Sequence, residues 1–421
     1  MLRSMGQRFR ASLLVLLVAA LVVGPGSPVA VVAREAGTET AAQPATVPRP
    51  PRTSAAAVYV WDATAGQVLY ALNADDQRAP ASTTKIATAL VVVRNADLDD
   101  EVVVAAGDTV DTTVFSHMGL QAGDTLTVEQ LLYGLLLPSG NDAANALART
   151  VGESLRDTYP EASGPVGAFV MEMNAFVETL GLVDTQFLNP AGEDDEGHYS
   201  SAHDLAVLAA ELLKDPTLAE IAGTPAWQGT SVGPEQRFFD LVNTNQLLAE
   251  DPSVVGVKTG TTENAGACLV VAREVEAGNV VISVTLGSDP PVYDDAGNAT
   301  DVRFDEMNTV FEALDRDYVW VSPSSPGEVA GLSEEMAAWQ VALKPGPAVA
   351  VPAEEAGELS YRLRLGPPAD PNERVGRVLF FVGSRQIGEL PLYQAPLLDQ
   401  DQEGDGAVAV GGEAPTPEPN P

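Results

Sequence analysis

The stretch VVGVKTGTTENAGACLVVAREVEAGNVVISVTL, residues 254–286, decides the fold class. It holds three runs rich in β-branched residues, which are Val254–Thr259, Ala267–Arg273 and Val280–Leu286. The turn sequences Asn264-Ala265-Gly266 and Ala277-Gly278-Asn279 separate them. Consecutive strands joined by such short links are antiparallel neighbours. The stretch therefore predicts an antiparallel meander.

The segments that precede the meander predict a hairpin followed by helices. The hairpin is Val58–Trp61 and Gln67–Tyr70, around a turn at residues 64–66. A final helix, Asp305–Leu314, follows the meander. This order predicts an α+β domain, in which helices cover an antiparallel sheet. Five helices are predicted between the hairpin and the meander. The first starts at Ser82 (STTKIATALVVV), and the others span Val128–Leu137, Asp142–Val151, Val166–Leu180 and Ala202–Leu213.

Composition shifts predict five parts in the chain. Three arginines precede an apolar run, Ala11–Val23, whose length is typical of a signal peptide, with an uncleaved anchor as the alternative. Short alternating segments near the other end predict a β-sandwich-like second domain. The predicted parts are a signal peptide or anchor (1–33), a Pro-rich linker (34–54), the main domain (55–320), a small all-β domain (321–397) and an acidic, disordered tail (398–421).

The charge balance and the scarcity of metal-binding residues exclude several classes of function. Against 59 acidic residues the chain has 23 Lys and Arg, for a formal net charge of −36. Such a chain repels phosphate backbones and anionic lipid headgroups. We therefore expect no nucleic-acid partner, and membrane contact only through the N-terminal segment if it stays uncleaved. One cysteine, Cys268, and three histidines leave little material for a metal centre, so we expect no metal. We expect no cofactor either.

Ser82 and Lys85 lie three residues apart at the predicted start of a helix. Positions i and i+3 share a helix face, so the hydroxyl and the amine can meet. A neutral, partly buried lysine can take the proton of a serine nucleophile. The alternative is that Ser82 caps the helix while Lys85 extends along its surface, and the pattern alone favours that alternative.

Two further short patterns offer related chemistry. Ser139 and Asn141, in the break between two predicted helices, supply a hydroxyl for proton relay and an amide that can hold a carbonyl. Lys258-Thr259-Gly260 ends the first run of the meander, where an extended peptide could dock along a strand edge with its carboxylate near the lysine. The structural alternatives are a turn with a helix cap and a charged edge strand.

Together the three patterns resemble the motif set of penicillin-binding proteins and serine β-lactamases. Two of the four lysines fall in these motifs. Longer segments resemble the low-molecular-weight D-alanyl-D-alanine carboxypeptidases, and the resemblance covers about residues 55–320. It implies a β-lactamase/transpeptidase-like fold with a small second domain. The resembling segments are 118–148 (from MGLQAGD to DAANALA), FLNPAG (187–192), HYSSAHDLA (198–206) and GVKTGTTENAGACLV (256–270).

The resemblance implies an exported serine peptidase that removes the terminal D-alanine from peptidoglycan stem peptides through an acyl-enzyme, and that β-lactam antibiotics acylate. Its implied catalytic residues are Ser82 as nucleophile, Lys85 as base, Ser139 as proton relay and Asn141. Its implied substrate-binding residues are Lys258, Thr259, Gly260, Thr261 and Arg303. Arg303 aligns loosely with a carboxylate-binding arginine, and a surface ion pair with Asp301 or Asp305 is the alternative.

Three other functions stay open on the same motifs. A class A β-lactamase needs a further glutamate for deacylation. Between Asn141 and Lys258 no Glu-x-x-Leu-Asn signature occurs, and Phe187-Leu188-Asn189 is interpreted as a turn. A transpeptidase or endopeptidase would share the acylation chemistry, and a non-catalytic wall-binding scaffold would not need it.

The family often ends in a basic amphipathic helix, whereas this chain ends in the acidic, Pro-rich TPEPNP.

Overall fold

A computed structural model describes residues 47–275, 278–293 and 299–396. The predicted signal segment or anchor, most of the linker and the whole of the acidic tail lie outside the described residues. Within the described ranges, no helix has both the length and the apolar character that a bilayer span requires. All described residues belong to one compact unit.

The described residues form the following elements. The helices are α1 (Lys85–Asn95), α2 (Val128–Leu136), α3 (Asn141–Ser154), α4 (Pro165–Thr179), α5 (Ala202–Lys214), α6 (Pro216–Gly223), α7 (Leu247–Glu250), α8 (Val302–Asp317) and α9 (Leu332–Ala338). The first strands are β1 (Ala57–Asp62), β2 (Gln67–Leu72), β3 (Glu101–Val103), β4 (Thr125–Thr127), β5 (Ala226–Thr230) and β6 (Phe238–Val242). The meander and its neighbours are β7 (Val254–Thr262), β8 (Gly266–Glu274), β9 (Val280–Ser288), β10 (Val292–Tyr293) and β11 (Ala299–Thr300). The remaining strands are β12 (Tyr318–Val321), β13 (Val341–Ala342), β14 (Val349–Pro352), β15 (Leu359–Leu365), β16 (Arg374–Val382) and β17 (Arg385–Gln394).

The main sheet joins the predicted hairpin to the predicted meander. Its five strands are antiparallel and run in the order β2-β1-β9-β8-β7. Strand β1 pairs with β9, so that Ala57 lies opposite Leu286. Strand β7, which carries the Lys-Thr-Gly sequence, is an edge strand of this sheet. The predicted α+β fold class is confirmed.

Both faces of the sheet are covered, which explains the nearly continuous apolar sequence of β8. Cys268, Val270 and Ala272 point into the core formed with helices α1 to α6. Leu269 and Val271, which alternate with them, point into a second core with α8. Helix α1 lies centrally in the first core, and its residues 85–92 are all buried.

Most predicted elements are present with ends shifted by a few residues, and one difference affects the site. Ser82 does not lie in the α-helix, because residues 81–84 form a 3-10 turn and α1 begins at Lys85. Helix α6 and the hairpin β5–β6 were not predicted. Helix α6 starts with Asp215 as N-cap and Pro216 in its first turn, a start signal that the sequence carries.

The C-terminal region is built mainly of strands. A four-stranded antiparallel sheet has the order β13-β17-β16-β15, and β14 pairs with β12. Val349 and Val351 of β14 share a core with Val378 and Phe380 of β16. This agrees with the predicted β-rich region, which also holds the short helix α9. Its boundary as a separate domain at residue 321 stays a prediction.

Candidate active site

The 3-10 turn before α1 brings Ser82 to Lys85. The Lys85 Nζ lies 2.9 Å from the Ser82 Oγ, and the lysine side chain is fully buried although the serine is half-buried. Ala81, directly before the serine, has a φ of 49°. This left-handed conformation is costly for a residue with a Cβ, and such outliers concentrate at functional sites.

The Lys85 amine contacts three oxygen atoms. Besides the Ser82 Oγ, these are the Asn141 Oδ1 at 2.8 Å and the Ala191 carbonyl at 2.6 Å. An ammonium can donate to all three. A neutral amine has two N–H donors, and the two carbonyl-type oxygens can only accept. The lone pair of the neutral amine therefore faces the Ser82 hydroxyl, which is the arrangement a general base requires.

Burial makes the neutral amine accessible near pH 7. Loss of solvation lowers the pKa of Lys85 to about 7, against the opposing effect of the Glu193 and Asp142 carboxylates. Thus the same desolvation that makes Lys85 a costly core residue also prepares it as a base.

Ser139 and Asn141 stand at the junction of α2 and α3. Ser139 has a φ of 63°, so the chain turns sharply before Asn141, the first residue of α3. The Asn141 amide links two charged groups, since its Oδ1 accepts from Lys85 and its Nδ2 donates to the Glu193 Oε1 at 3.0 Å. Within the part of the chain that the structure describes, the buried Ser139 Oγ has no hydrogen-bond partner.

Strand β7 places Lys258 and Gly260 on the side of the nucleophile. The buried Lys258 Nζ donates to the Thr259 carbonyl at 3.1 Å. Burial, followed by the positive charges of Lys85 and Arg303, holds the pKa of Lys258 well below its usual value. A Cβ on Gly260 would lie 2.9 Å from the Ser82 backbone nitrogen. The glycine thus lets the serine turn pack against the strand, a reason that the sequence interpretation did not include.

Arg303 is buried beside the cleft, so it is not the surface arginine of the alternative interpretation. Its Nε donates to both carboxylate oxygens of Asp301 at 2.8 Å, so the partner is one of those anticipated, although the site is not at the surface. Its Nη1 donates to the carbonyls of Gly260 at 2.8 Å and Cys268 at 3.1 Å. Its Nη2 donates to the Thr261 Oγ1 at 2.6 Å. Arg303 therefore braces β7 and polarises the Thr261 hydroxyl.

These groups surround one open cleft of about 800 Å³. Lys85, Asn141 and Lys258 are buried and are not among the residues that line it. In the described ranges, no cluster of three or more His, Cys, Asp or Glu side chains is placed to hold a metal ion. The predicted site residues that line the cleft are Ser82, Ser139, Thr259, Gly260, Thr261 and Arg303.

The loop around Asn189, for which the sequence predicts a turn, completes the site. The Asn189 Oδ1 accepts from the backbone N–H groups of Ala191, Gly192 and Glu193 at 3.2, 2.8 and 3.0 Å. The Asn189 Nδ2 donates back to the Glu193 carbonyl at 3.0 Å. This clamp presents the Ala191 carbonyl to Lys85 and the Glu193 carboxylate to Asn141.

His198 holds the same loop against the nucleophile's turn. Its Nδ1 accepts from the Leu188 N–H at 3.0 Å, so its Nε2 carries the proton and donates to the Thr84 Oγ1 at 2.9 Å. Burial lowers the pKa of His198 to about 4, which keeps the ring neutral near pH 7. The imidazole is therefore a structural tie between the loop and the nucleophile's turn.

Comparisons with known proteins agree with this geometry. The sequence profile of the D-alanyl-D-alanine carboxypeptidases matches residues 43–290. The D-alanyl-D-alanine carboxypeptidase DacF of Bacillus subtilis is 37% identical over 233 residues, which are 54% of this chain and 55% of the relative. The chain thus spans about half the length of that relative.

Two solved structures are similar over most of their own length. The crystal structure of the Streptomyces K15 DD-transpeptidase superposes with a TM-score of 0.54 and 32% identity, covering 62% of this chain and 97% of that chain. Penicillin-binding protein 5 of Haemophilus influenzae superposes with a TM-score of 0.62 and 25% identity, covering 82% of this chain and 97% of that chain. Since the profile matches more than half of its residues, the chain belongs to the D-alanyl-D-alanine carboxypeptidase family.

Proposed function

We propose that this protein is a serine-type D-Ala-D-Ala carboxypeptidase that forms an acyl-enzyme on Ser82. One observation carries the proposal: the Ser82 Oγ lies 2.9 Å from a buried amine whose other two neighbours can only accept hydrogen bonds. A chain that only bound the cell wall would not need this pair. Family membership supplies the substrate class, a peptidoglycan stem peptide that ends in D-Ala-D-Ala.

Acylation follows from the contacts of Lys85. The neutral amine takes the Ser82 proton while the Oγ attacks the carbonyl between the two terminal D-alanines. The developing oxyanion accepts hydrogen bonds from the backbone N–H groups of Ser82 and Thr261. Collapse of the tetrahedral intermediate breaks the C–N bond, and the unpartnered Ser139 hydroxyl relays a proton from Lys85 to the leaving amine.

The other cleft residues bind the terminal carboxylate. Lys258 contributes positive charge from beneath β7, and the Thr259 and Thr261 hydroxyls line the cleft on the strand, where the Thr259 hydroxyl also contacts that of Thr244 at 2.6 Å. Because Thr261 accepts from Arg303, its own O–H is free to donate to the substrate. Arg303 then acts on the carboxylate through Thr261, rather than by the direct contact that the resemblance implied.

Deacylation by water completes hydrolysis. Water attacks the ester carbonyl while the neutral Lys85 amine takes its proton, the C–O bond to Ser82 breaks, and the serine oxygen regains that proton from Lys85. If an amine replaces water, the same acyl-enzyme yields a cross-link, as the name of the Streptomyces K15 relative indicates for that protein. We place the reaction outside the cytoplasm, reached through residues 1–33 as a signal peptide or as an N-terminal tether.

The test is the product released from a synthetic stem pentapeptide that ends in D-Ala-D-Ala. We expect one equivalent of free D-alanine per tetrapeptide formed, and no release by Ser82→Ala. A cross-linked dimer in the presence of an acceptor amine would identify a transpeptidase, and cleavage of a pre-formed cross-link an endopeptidase. If wild-type protein releases no D-alanine and forms no dimer, the proposed enzyme is wrong and a scaffold role gains support.

A further inference from the structure

The loop beneath Lys85 and Asn141 supplies a carboxylate for which the mechanism above has no role. Glu193 is half-buried, and its Oε1 accepts from the Asn141 Nδ2 at 3.0 Å. Its backbone is fixed on both sides, because the Asn189 side chain binds the N–H and the C=O of Glu193 at 3.0 Å each. The carboxylate is therefore held at a defined position beside the catalytic pair.

The orientation of the Asn141 amide depends on this contact. An amide has an accepting end and a donating end of nearly equal shape. Lys85 requires the accepting end, since a flipped amide would place an NH₂ group against the amine at 2.8 Å. Glu193 accepts only, so it selects the donating end. The two contacts together leave one favourable orientation of the amide.

The charged groups around Lys85 come from several elements. Glu193 approaches from the loop, Asp142 from α3 and Lys258 from β7. Asp142 is already committed, since its carboxylate accepts from the backbone N–H groups of Met118, Gly119 and Leu120 at 2.9–3.0 Å. The Glu193 carboxylate is linked to Lys85 by the Asn141 amide, which is hydrogen-bonded to both side chains.

We propose that Glu193 is a positioning residue, which fixes Asn141 against Lys85 and thereby sets both the rate of Ser82 acylation and the pH range in which it occurs. This inference rests on the proposed function. A negative charge stabilises the ammonium form of Lys85, so Glu193 delays the appearance of the neutral base as the pH rises.

Two substitutions separate the charge of Glu193 from its hydrogen bond. Glu193→Gln retains an accepting oxygen and removes the charge, whereas Glu193→Leu removes both. Glu196→Gln, an exposed position in the same loop, makes the same change of charge away from Asn141 and is the matched control. Acylation by a fluorescent penicillin is followed from pH 5 to 9 by stopped flow, acyl-enzyme lifetime by intact mass, and folding by melting temperature.

For Glu193→Gln, we expect the acid limb of the pH profile of the acylation rate to move to lower pH by about half to one unit. The plateau of that profile at higher pH should stay near that of wild type. The same shift is expected for Glu193→Leu, together with a plateau about tenfold lower, because the Asn141 amide loses its fixed orientation. Glu196→Gln should change neither quantity.

Three outcomes overturn the inference. One is an unchanged acid limb in Glu193→Gln, and another is a wild-type plateau in a folded Glu193→Leu. The third is unchanged acylation with a longer-lived acyl-enzyme, which would make Glu193 a base for the deacylating water, as in a β-lactamase. Failure of the wild type to be acylated at any pH would instead contradict the proposed function itself.

Discussion

Lys85 is buried, which disfavours its charged form, and its amine is surrounded by oxygen atoms that accept hydrogen bonds. Burial lowers its pKa to about 7, so below that pH the amine is mostly ammonium and cannot act as base. The neutral fraction, and with it the acylation rate, rises with pH through about 7 and then levels off. The Lys85 and Lys258 amines lie close enough to repel each other when both are charged. This repulsion favours a state in which one of the two amines is neutral.

Replacing Lys85 by arginine tests whether a neutral base is required. A guanidinium keeps its proton throughout the accessible pH range, and its planar fork does not fit the three acceptors of Lys85. We expect Lys85→Arg to lower the rate of acylation by at least about a thousandfold, measured with a fluorescent penicillin.

The matched control for that substitution is Lys214→Arg, on an exposed lysine side chain of α5. Acylation by this variant should equal that of wild type. Normal acylation by a folded Lys85→Arg protein would remove Lys85 from the mechanism.

At the scale of elements, the site depends on close packing between a turn and a strand. Residues 81–84 lie directly on β7, where a Cβ at position 260 would meet the Ser82 nitrogen at 2.9 Å, the Ala81 Cβ at 3.0 Å and the Thr83 nitrogen at 3.1 Å. Contacts under about 3.0 Å force a shift of backbone, and the backbone that must shift carries the nucleophile and one oxyanion-hole donor.

Gly260→Ala should therefore impair catalysis more than stability. We expect acylation to fall about tenfold to a hundredfold, since small displacements of a nucleophile have large effects on rate. The control is Gly107→Ala, where the added Cβ would meet nothing within 4 Å. Melting temperature and acylation rate are measured for both. If Gly260→Ala acylates at the wild-type rate, the strand and the turn are not coupled as described.

The predictability of the site follows from how far apart its contacts lie in sequence. The spacing of Ser82 and Lys85 allows their side chains to meet but by itself favours a helix cap and a surface lysine, whereas Lys258 could be placed on a strand edge because β-propensity is local. The contacts of Lys85 with Asn141 and Ala191 bridge 56 and 106 residues, and no local periodicity encodes them. The sequence LNPAGE carried a signal, because an asparagine whose side chain can bind the next few N–H groups is typical of a structured loop.

Arg303 shows the opposite failure, in which a local pattern suggested the wrong environment. Its neighbour Asp301 made a surface ion pair plausible from the sequence. The burial that converts this pair into a brace for β7 depends on α8 packing against the sheet, which is a tertiary property.

At the scale of the whole molecule, buried polar side chains connect the C-terminal region to the main sheet. Asn279 donates to the Asp62 Oδ2 at 2.6 Å and exchanges two hydrogen bonds of 2.9 Å with the backbone of Ala348. Gln67 makes a similar exchange with Ala350, at 2.6 and 3.0 Å. These contacts lie at the start of β2 and β9, away from the residues that line the cleft.

Asn279→Ala should destabilise the fold without changing acylation. The substitution leaves the backbone groups of Ala348 without their partner and removes the shorter of the two hydrogen bonds to the Asp62 Oδ2, which then keeps only the Trp320 Nε1 at 3.3 Å, at a cost of about 2–4 kcal/mol. Urea denaturation measures the loss, and the acylation rate of the folded fraction serves as the internal control. A changed rate at unchanged stability would show that the C-terminal region acts on the cleft.

Deleting residues 321–421 is a more severe test of whether the C-terminal region affects stability without affecting catalysis. We expect the shortened protein to cleave a small diacyl peptide at close to the wild-type rate per folded molecule, because no cleft residue is removed. Its melting temperature should fall, since Gln67 and Asn279 lose their partners. A large loss of turnover by protein that remains folded would show that the predicted boundary at residue 321 is wrong.

The most direct test of the central claim is where a penicillin becomes attached. Intact mass spectrometry should show one added penicillin per chain, and peptide mapping should place it on Ser82. Formation should be slow at pH 5 and rise through about pH 7, where Lys85 loses its proton. Ser82→Ala should carry no adduct. An adduct at another residue, or an equal amount on Ser82→Ala, would contradict the account.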